Sequence, residues 1–447
     1  MTFSKAPVHT GKEGFERDKS AFERRRWADF LAVILISAFL SGLSLAQQQT
    51  FTWPQVRDKF EMNNTTLIAG RLNIDELKAE EITAFMRPNP QLSLTVDGTQ
   101  IAPKNGKWPV FAGTYEVPGL SYLIERRHKR DLRWQSAKQG TAIGGAQQDD
   151  LDRTMLFNLR TTFVGVLQAK AVLRVAQDNL DYYDKVLKIS RDRYQAGDIA
   201  QIDLDRLELQ RLQYESDLQA ALVSLRTAKI GLLALLDDRR AVDSFDVDGN
   251  YDFTEETLAL EDYRKEALDA RPDLRAALLS VQQAETNYKL AEANGSTDPT
   301  VGAWYTHNAS DNNPLATDTL GVNVSIPLRI FDRNQGEKLR TKIDINRNQK
   351  LRDGIETQVY SDVDSAYAML SSNITLLKPY KVRYLAQAVR VRDTILFSYQ
   401  HGAASLLDFL NAESDYRTVQ LNYVNLVGTY LIAAAQVNLA VGREVIQ

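Results

Sequence analysis

The sequence predicts an α+β protein that consists of two tandem structural repeats, with long coiled-coil helices and four strands per chain. Three observations predict this fold class: a group of residues recurs at a constant offset, four short segments alternate apolar and polar residues, and two long segments are rich in Ala, Leu and charge. The chain has 447 residues, of which 44% are hydrophobic and 25% are charged. This balance is typical of a folded globular protein.

The N-terminus has the layout of a secretory signal peptide. Arg24, Arg25 and Arg26 precede an uncharged apolar run from Phe30 to Ala46, which ends with small residues. Residues 1–46 are therefore predicted to be a signal peptide that is cleaved after Ala46, and a single membrane-anchoring helix is the alternative. Beyond Ala46 no unbroken apolar run reaches ~20 residues, so no further transmembrane helix is predicted.

Charge and cysteine content exclude several classes of protein. The formal net charge is −4, and residues 1–46 carry seven Lys/Arg and five Asp/Glu, so the mature chain would carry −4 − 2 = −6. An acidic exported protein is a poor candidate for nucleic-acid binding, and no nucleic-acid partner is predicted. The absence of Cys excludes disulfides, thiolate metal sites and cysteine nucleophiles.

A short pattern occurs twice in the chain. Tyr194-Gln195-Ala196-Gly197 recurs as Tyr399-Gln400-His401-Gly402, at an offset of 205 residues (399 − 194). The other pairs at this offset are Asp203 with Asp408 and Glu208 with Glu413. The chain is therefore predicted to divide into a first repeat over 51–240, a linker over 241–254 and a second repeat over 255–447.

Each repeat is predicted to contain a helix, two strands, and two long helices joined by a turn. Apolar and polar residues alternate over 92–97 and 111–117 in the first repeat, and over 301–306 and 320–326 in the second. A period of two indicates a strand. Gly197 and Gly402 are expected in the turns between the long helices, because such turns favour a residue that tolerates positive φ.

The long helices are predicted over 125–195 and 332–400. In the first of them, apolar residues from Leu156 to Leu187 recur at spacings close to three and four, which is typical of a coiled-coil seam. Each helix would be ~105 Å long at 1.5 Å per residue. A bend is predicted at the pair Gly144 and Gly145.

The number of strands bears on any membrane role. Four strands cannot close a transmembrane barrel, because the smallest such barrels have about eight and an open edge leaves backbone groups unsatisfied in lipid. Two or three chains together would supply eight or twelve strands, so membrane insertion of the strands requires an oligomer. The alternative is that the strands form soluble hairpins packed on helices.

The recurring Tyr-x-x-Gly, Asp and Glu positions resemble the TolC family of outer-membrane efflux proteins, over essentially the whole mature chain. Three segments look most like the cobalt-zinc-cadmium type of outer-membrane component, namely 271–274, 326–328 and 330–336. The resemblance implies a homotrimer in outer-membrane lipid, with a twelve-stranded transmembrane β-barrel and a coiled-coil α-barrel that crosses the periplasm.

The resemblance also implies two kinds of functional residue. Four tip residues are expected to meet a periplasmic membrane-fusion adaptor, which docks an inner-membrane pump: Tyr194, Gly197, Tyr399 and Gly402. Asp408 matches an aspartate that lines the tunnel constriction, where three copies would form a ring that attracts cations.

This sequence departs from the family pattern beside that aspartate. Asn411 occupies the second acidic position of the constriction, and Ala404 or a neighbour occupies the place of an arginine found in some members. A gate held by ion pairs is therefore not predicted. The alternative for Asp203 and Asp408 is a carboxylate that stabilises a helix N-terminus.

No catalytic residue, metal site or cofactor is predicted. The four histidines, His9, His128, His307 and His401, have no metal-ligand spacing, and neither a phosphate-binding loop nor a nucleophile motif is present. The predicted function is a passive outer-membrane channel of a tripartite efflux system, with heavy-metal cations as one candidate substrate. Alternatives are a duct for drug export or type I protein secretion, or a periplasmic coiled-coil scaffold without a channel.

Overall fold

The structure, a computed structural model, describes residues 49–111, 113–255, 257–308 and 317–446. The predicted signal peptide lies outside the described residues. The described residues divide into two compact units, one with residues 49–51 and 240–246 and one with the described residues of 52–239 and 247–446. In the smaller unit, strand β1 (Gln49–Phe51) pairs with strand β4 (Phe245–Val247), and the ring centroids of Phe51 and Phe245 are 5.6 Å apart.

The larger unit contains nine described α-helices and four further strands. Four of these helices and two of these strands belong to the first repeat. The helices are α1 (Trp53–Asn63), α2 (Thr65–Phe85), α3 (Lys129–Gln195), α4 (Gln201–Leu235), α5 (Leu260–Ala270), α6 (Pro272–Asn294), α7 (Gln335–Pro379), α8 (Leu385–Gln400) and α9 (Leu406–Val441). The strands are β2 (Gln91–Asp97), β3 (Tyr115–Leu123), β5 (Thr300–Asn308) and β6 (Asp318–Ser325).

These four strands form one antiparallel sheet in the order β2-β3-β5-β6. Three strands coincide closely with the predicted segments, but the strand predicted over 111–117 is wrong in position, because β3 begins at Tyr115 and continues to Leu123. Residues before it belong to the connecting loop, where Gly113 has φ +99°. Pro118 lies inside β3 at a point where pairing with β5 is interrupted, which accommodates a residue without an N–H.

The sheet has one apolar face. Paired residues of neighbouring strands lie on the same face, and the register pairs Leu92 with Leu120 and Ala303 with Val322. Leu92 is 82% exposed and Val322 is 77% exposed. The other exposed apolar residues of this face are Leu94, Val96, Leu120, Tyr305, Leu320 and Val324. The opposite face is largely polar or small, so the sheet is amphipathic with its apolar side uncovered.

The long helices are confirmed to within four residues at their ends. Helix α3 has 67 residues and is ~100 Å long at 1.5 Å per residue. It continues through Gly144 and Gly145 without interruption, and the bend at that pair stays a prediction. A Cβ at Gly144 would come within 2.4 Å of the Leu77 side chain, which indicates that the glycine permits close packing of α2. In the second repeat, a π-helix over Tyr380–Tyr384 follows Pro379 and separates α7 from α8.

Two described helices, α4 and α9, are long and apolar enough to cross a membrane by length and composition alone. Neither helix contains an unbroken apolar run of ~20 residues, because both space their apolar residues between polar ones, so the search for such runs did not predict them. Core helices of soluble proteins pass the same test, and 56% of the apolar window of α9 is buried. This criterion therefore carries little weight for either helix.

A buried arginine fixes the start of α6 against the end of α9. The side chain of Arg271 is 3% exposed, and its guanidinium contacts Asp273 at 2.6 Å and Asp362 at 2.8 Å. It also donates to the carbonyl of Ala440. A large apolar cluster lies beside it, formed by α5, α6, α7 and α9. The segment 271–274, which carried part of the family resemblance, thus links α6 to α7 and α9 through the hydrogen bonds of Arg271.

Candidate functional site

The first helix-to-helix turn connects α3 to α4 and is closed by a Schellman motif. The N–H of Gly197 donates to the carbonyl of Tyr194 at 3.0 Å, and the N–H of Asp198 donates to that of Arg193 at 2.9 Å. Gly197 has φ +82°, a conformation that other residues rarely adopt. We call α3, this turn and α4 hairpin one.

The second turn, between α8 and α9, repeats this geometry. The N–H of Gly402 donates to the carbonyl of Tyr399 at 3.1 Å, the N–H of Ala403 donates to that of Ser398 at 2.8 Å, and Gly402 has φ +73°. We call α8, this turn and α9 hairpin two. The equivalence of the two turns in backbone geometry agrees with the 205-residue offset, and both predicted glycines are at the positions that require positive φ.

The two hairpins pack together near their turns through an apolar cluster that we call the tip cluster. Its members are Tyr183, Val186, Leu187, Leu204, Leu207 and Tyr214 from hairpin one, and Tyr399, Leu406 and Phe409 from hairpin two. Tyr183 stacks on Tyr214 at 4.6 Å, and Tyr399 stacks on Phe409 at 5.5 Å. The tip cluster therefore ties the two turns to each other within one chain.

The two tip tyrosines occupy different environments. Tyr194 is 39% exposed, whereas Tyr399 is 7% exposed and belongs to the tip cluster. Burial raises the pKa of the Tyr399 phenol. The side chain of Tyr194 is thus available to a partner, and that of Tyr399 supports the turn from within.

Asp408 forms a capping box with Ser405, the N-cap residue of α9. Its carboxylate accepts from the Ser405 hydroxyl at 2.7 Å and from the Ser405 N–H at 3.0 Å, while its own N–H donates to the Ser405 hydroxyl at 3.2 Å. These hydrogen bonds hold the pKa of the Asp408 carboxyl below its usual range. Asn411 lies one turn later, and both side chains are exposed. The first repeat has Ala200 at the capping position, so Asp203 lacks an equivalent partner there.

Charged residues that the sequence analysis did not single out connect the two hairpins. Arg417 of hairpin two contacts Asp217 of hairpin one at 2.9 Å. The guanidinium of Arg392 lies between the rings of Tyr182, at 4.2 Å, and Tyr416, at 4.1 Å. An ion pair between the hairpins therefore exists, although not at the positions where the family pattern has one.

Glu413 is a carboxyl buried among these groups. It is 4% exposed, its Oε1 has no hydrogen-bond partner among the described residues, and the nearest cation is Arg392 at 4.0 Å. Burial raises the pKa of Glu413 to about 7. Its repeat equivalent Glu208 is exposed and contacts Arg191 at 2.8 Å, so the sequence repeat alone could not identify the buried member of the pair.

The described histidines do not converge. Nδ1 of His401 lies 2.8 Å from the carbonyl of Phe397 in its own helix, and Nδ1 of His307 lies 2.8 Å from Asp318 in the sheet. Within the described ranges, no group of three or more His, Asp or Glu side chains could hold a metal ion.

Comparison with known proteins matches the chain to one family. A model of the family described as outer membrane efflux protein matches residues 56–238 and 263–443. Cobalt-zinc-cadmium resistance protein CzcC of Cupriavidus metallidurans is 22% identical over 382 residues, which cover 85% of this chain and 87% of CzcC.

Solved structures have the same fold. CusC, which forms a transmembrane channel, aligns with a TM-score of 0.72 and 19% identity, and the alignment covers 90% of this chain and 96% of CusC. The outer membrane protein VceC of Vibrio cholerae aligns with a TM-score of 0.70 and 16% identity, covering 87% and 95%. At these identities, the likeness establishes the arrangement of helices and strands.

Proposed function

The chain belongs to the outer membrane efflux protein family and is thus an efflux channel of the outer membrane, and we propose that it serves a tripartite system as a passive exit duct. Its substrate would arrive from an inner-membrane pump through a periplasmic adaptor. The similarity to CzcC favours heavy-metal cations as the substrate. The duct itself would be no enzyme, since the energy for export comes from the pump.

The observation that carries this proposal is the amphipathic sheet with an uncovered apolar face. Among the described strands, the outer strands β2 and β6 have a neighbour on one side only, and an open edge is unstable in lipid because backbone groups remain unsatisfied. Three chains with four strands each would close a barrel of twelve strands, an even number that bacterial barrels use. We therefore propose a homotrimer whose apolar sheet faces contact lipid.

The helical hairpins would then extend into the periplasm as an α-barrel. Tyr194, Gly197 and Gly402 lie at or beside the turns, where an adaptor could contact them, and Tyr399 supports the second turn from inside the tip cluster. The exposed Asp408 and Asn411 would line the constriction of the tunnel. Each of these roles is a proposal that rests on turn geometry and family membership.

Leu94→Arg should prevent stable insertion into the outer membrane, because it places a charge on the face proposed to contact lipid. An Arg near the middle of the bilayer costs ~2–4 kcal/mol on the lipid face of such a barrel. We expect the variant to be absent from the outer-membrane fraction of a density gradient. The wild type should be present there and should run as a trimer on unheated gels and as a monomer after heating.

Thr95→Arg is the matched control, because Thr95 is the next residue of β2 and lies on the opposite face. This variant should insert and form trimers. Equal recovery of both variants in the outer membrane would contradict the lipid-facing assignment. Wild-type protein that lacks the heat-sensitive oligomer would overturn the barrel and support the scaffold alternative.

Asp408→Asn should lower the preference of the channel for cations, because it removes a charge from the proposed ring of three. The amide can still accept from Ser405, so the cap of α9 is largely kept. We expect the reversal potential in a salt gradient across a planar bilayer to shift toward zero. Asn411→Asp adds a charge one turn away and should shift the reversal potential in the opposite direction. An unchanged potential in both variants would remove Asp408 and Asn411 from the constriction.

A further inference from the structure

A half-open cavity of about 330 Å³ lies far along the chain from the turns, between the start of α1, the middle of α3 and the end of α9. Its walls are mostly apolar, with surface from Trp53, Leu156, Phe157, Leu439 and Ile446. Cavities of roughly 300 Å³ and more with a few polar groups are the usual form of small-molecule sites.

The segment after α9, which forms one wall of the cavity, is held in place by hydrogen bonds to Asn438. Asn438 donates from its amide to the carbonyl of Ile446 at 2.7 Å and accepts from the N–H groups of Val445 and Ile446 at 2.8 and 2.9 Å. These three bonds fold the segment after α9 back onto the helix. The cavity is therefore a defined feature of the fold.

Most charges around the cavity have partners within the protein. Arg153 contacts Asp150 and the carbonyl of Leu439, both at 2.5 Å. Glu444 contacts Arg57 at 3.0 Å, and Arg443 contacts Glu266 at 2.8 Å. Their charges are thus already balanced.

Arg160 differs from these residues. Its guanidinium stacks over the ring of Trp53 at 4.4 Å, and within the described part of the chain it has no hydrogen-bond acceptor or ion pair. Burial lowers the pKa of this guanidinium below its ordinary value, and the carboxylate of Glu444, which also lines the cavity, partly offsets that effect. The arginine remains charged. A planar guanidinium with free N–H groups matches the two oxygens of a carboxylate or phosphate.

We propose that this cavity binds a small amphiphile with an anionic headgroup, which Arg160 holds while the apolar walls bury its chain. The carboxylate of a free fatty acid and the phosphate of a membrane lipid share this chemistry. The stacked Trp53 fixes the guanidinium plane, so that the headgroup is held in one orientation. The site lies outside the turns and the sheet, and binding there does not require transport.

Equilibrium dialysis of radiolabelled octanoate against the purified protein in amphipol tests the site directly. We expect saturable binding of one octanoate per chain. Octylamine has the same chain length and the opposite charge, and it should bind at least tenfold more weakly. Arg160→Gln should weaken octanoate binding at least tenfold, and Trp53→Leu should also weaken it. Arg347→Gln, which changes an exposed arginine paired with Asp344, is the matched control and should bind like the wild type.

Competition experiments distinguish the two sources of the headgroup. Displacement of octanoate by octyl phosphate but not by dihexanoyl phosphatidylglycerol would support a free amphiphile, and displacement by both would support a lipid. The proposal is overturned if octanoate binding does not saturate at millimolar concentration. This result is also expected if a second copy of the chain covers the cavity. Equal binding of octylamine, or unchanged binding by Arg160→Gln and Trp53→Leu, would overturn it as well.

Discussion

Gly402→Pro should reduce export to less than about one tenth of the wild-type level while leaving trimers in the outer membrane. Proline fixes φ near −65°, whereas Gly402 has φ +73°, and proline lacks the N–H that donates to Tyr399. The turn must therefore change shape, at a cost of several kcal/mol. An added Cβ would meet nothing within 4 Å, so the damage is confined to the backbone of the turn. Export is measured as resistance of cells to the transported compound, with trimers quantified on unheated gels.

Two further variants make this result specific. Gly197→Val places a β-branched residue at φ +82° in the other turn and should impair export in the same way. Gly354→Ala changes a glycine within α7 that also has open space around it, but not a positive φ, and should leave export unchanged. Normal export by Gly402→Pro would show that the turn does not dock a partner. Failure of that variant to assemble would show that the turn is needed for folding.

Packing of hairpin two on hairpin one should weaken as the pH rises from about 4.5 to about 7, because Glu413 must ionise inside the contact. The pKa of Glu413 is about 7 in the folded protein and near 4.5 when the side chain is exposed. A raised carboxyl pKa means that the packed state holds the proton more tightly, so its stability falls through this window and is constant above it. The loss is on the order of 3 kcal/mol, from 1.36 kcal/mol per pKa unit.

Glu413→Gln removes this titration and should make the contact insensitive to pH. Protection factors for backbone amide exchange over 406–420, measured at pH 5 and pH 8, report the opening of hairpin two. Relative to the variant, the wild type should lose about 100-fold of protection between these values. Asp415→Asn, an exposed carboxylate of the same helix, should behave like the wild type. A pH-independent ratio of wild type to Glu413→Gln would contradict a buried, titrating Glu413.

Local patterns in the sequence predicted the parts of the fold that local physics determines. The period of two identified the strands, and the two turn glycines were found because positive φ favours glycine wherever it occurs. The predicted strand ended before Pro118 and Gly119, whereas the structure accommodates both inside β3 at an interruption of one ladder. The alternation of residues within one strand does not show which neighbouring strand forms backbone hydrogen bonds with the residues around Pro118.

The least predictable parts of the site depend on contacts between distant segments. Arg417 and Asp217 are 200 residues apart in sequence and pair only because the hairpins pack side by side. Glu413 and Glu208 occupy equivalent positions of the repeat, yet one is buried and the other is exposed. Duplication makes the two positions equal in sequence, and only the packing of one copy on the other makes them different.

In the proposed homotrimer, the outer edges of the described sheet find a neighbouring strand only on assembly, so a single chain would not complete its own folding. Strands β2 and β6 each present a row of N–H and C=O groups without a neighbour in the described sheet, and the apolar face between them has no cover. In the proposed homotrimer the last hydrogen bonds of the sheet would form between molecules. Maturation would then depend on the concentration of chains, and dilution would leave single chains with unpaired strand edges. The fraction of chains that reach the native state would then depend on the local concentration of newly exported chains. Any place in the cell that concentrates these chains would speed assembly.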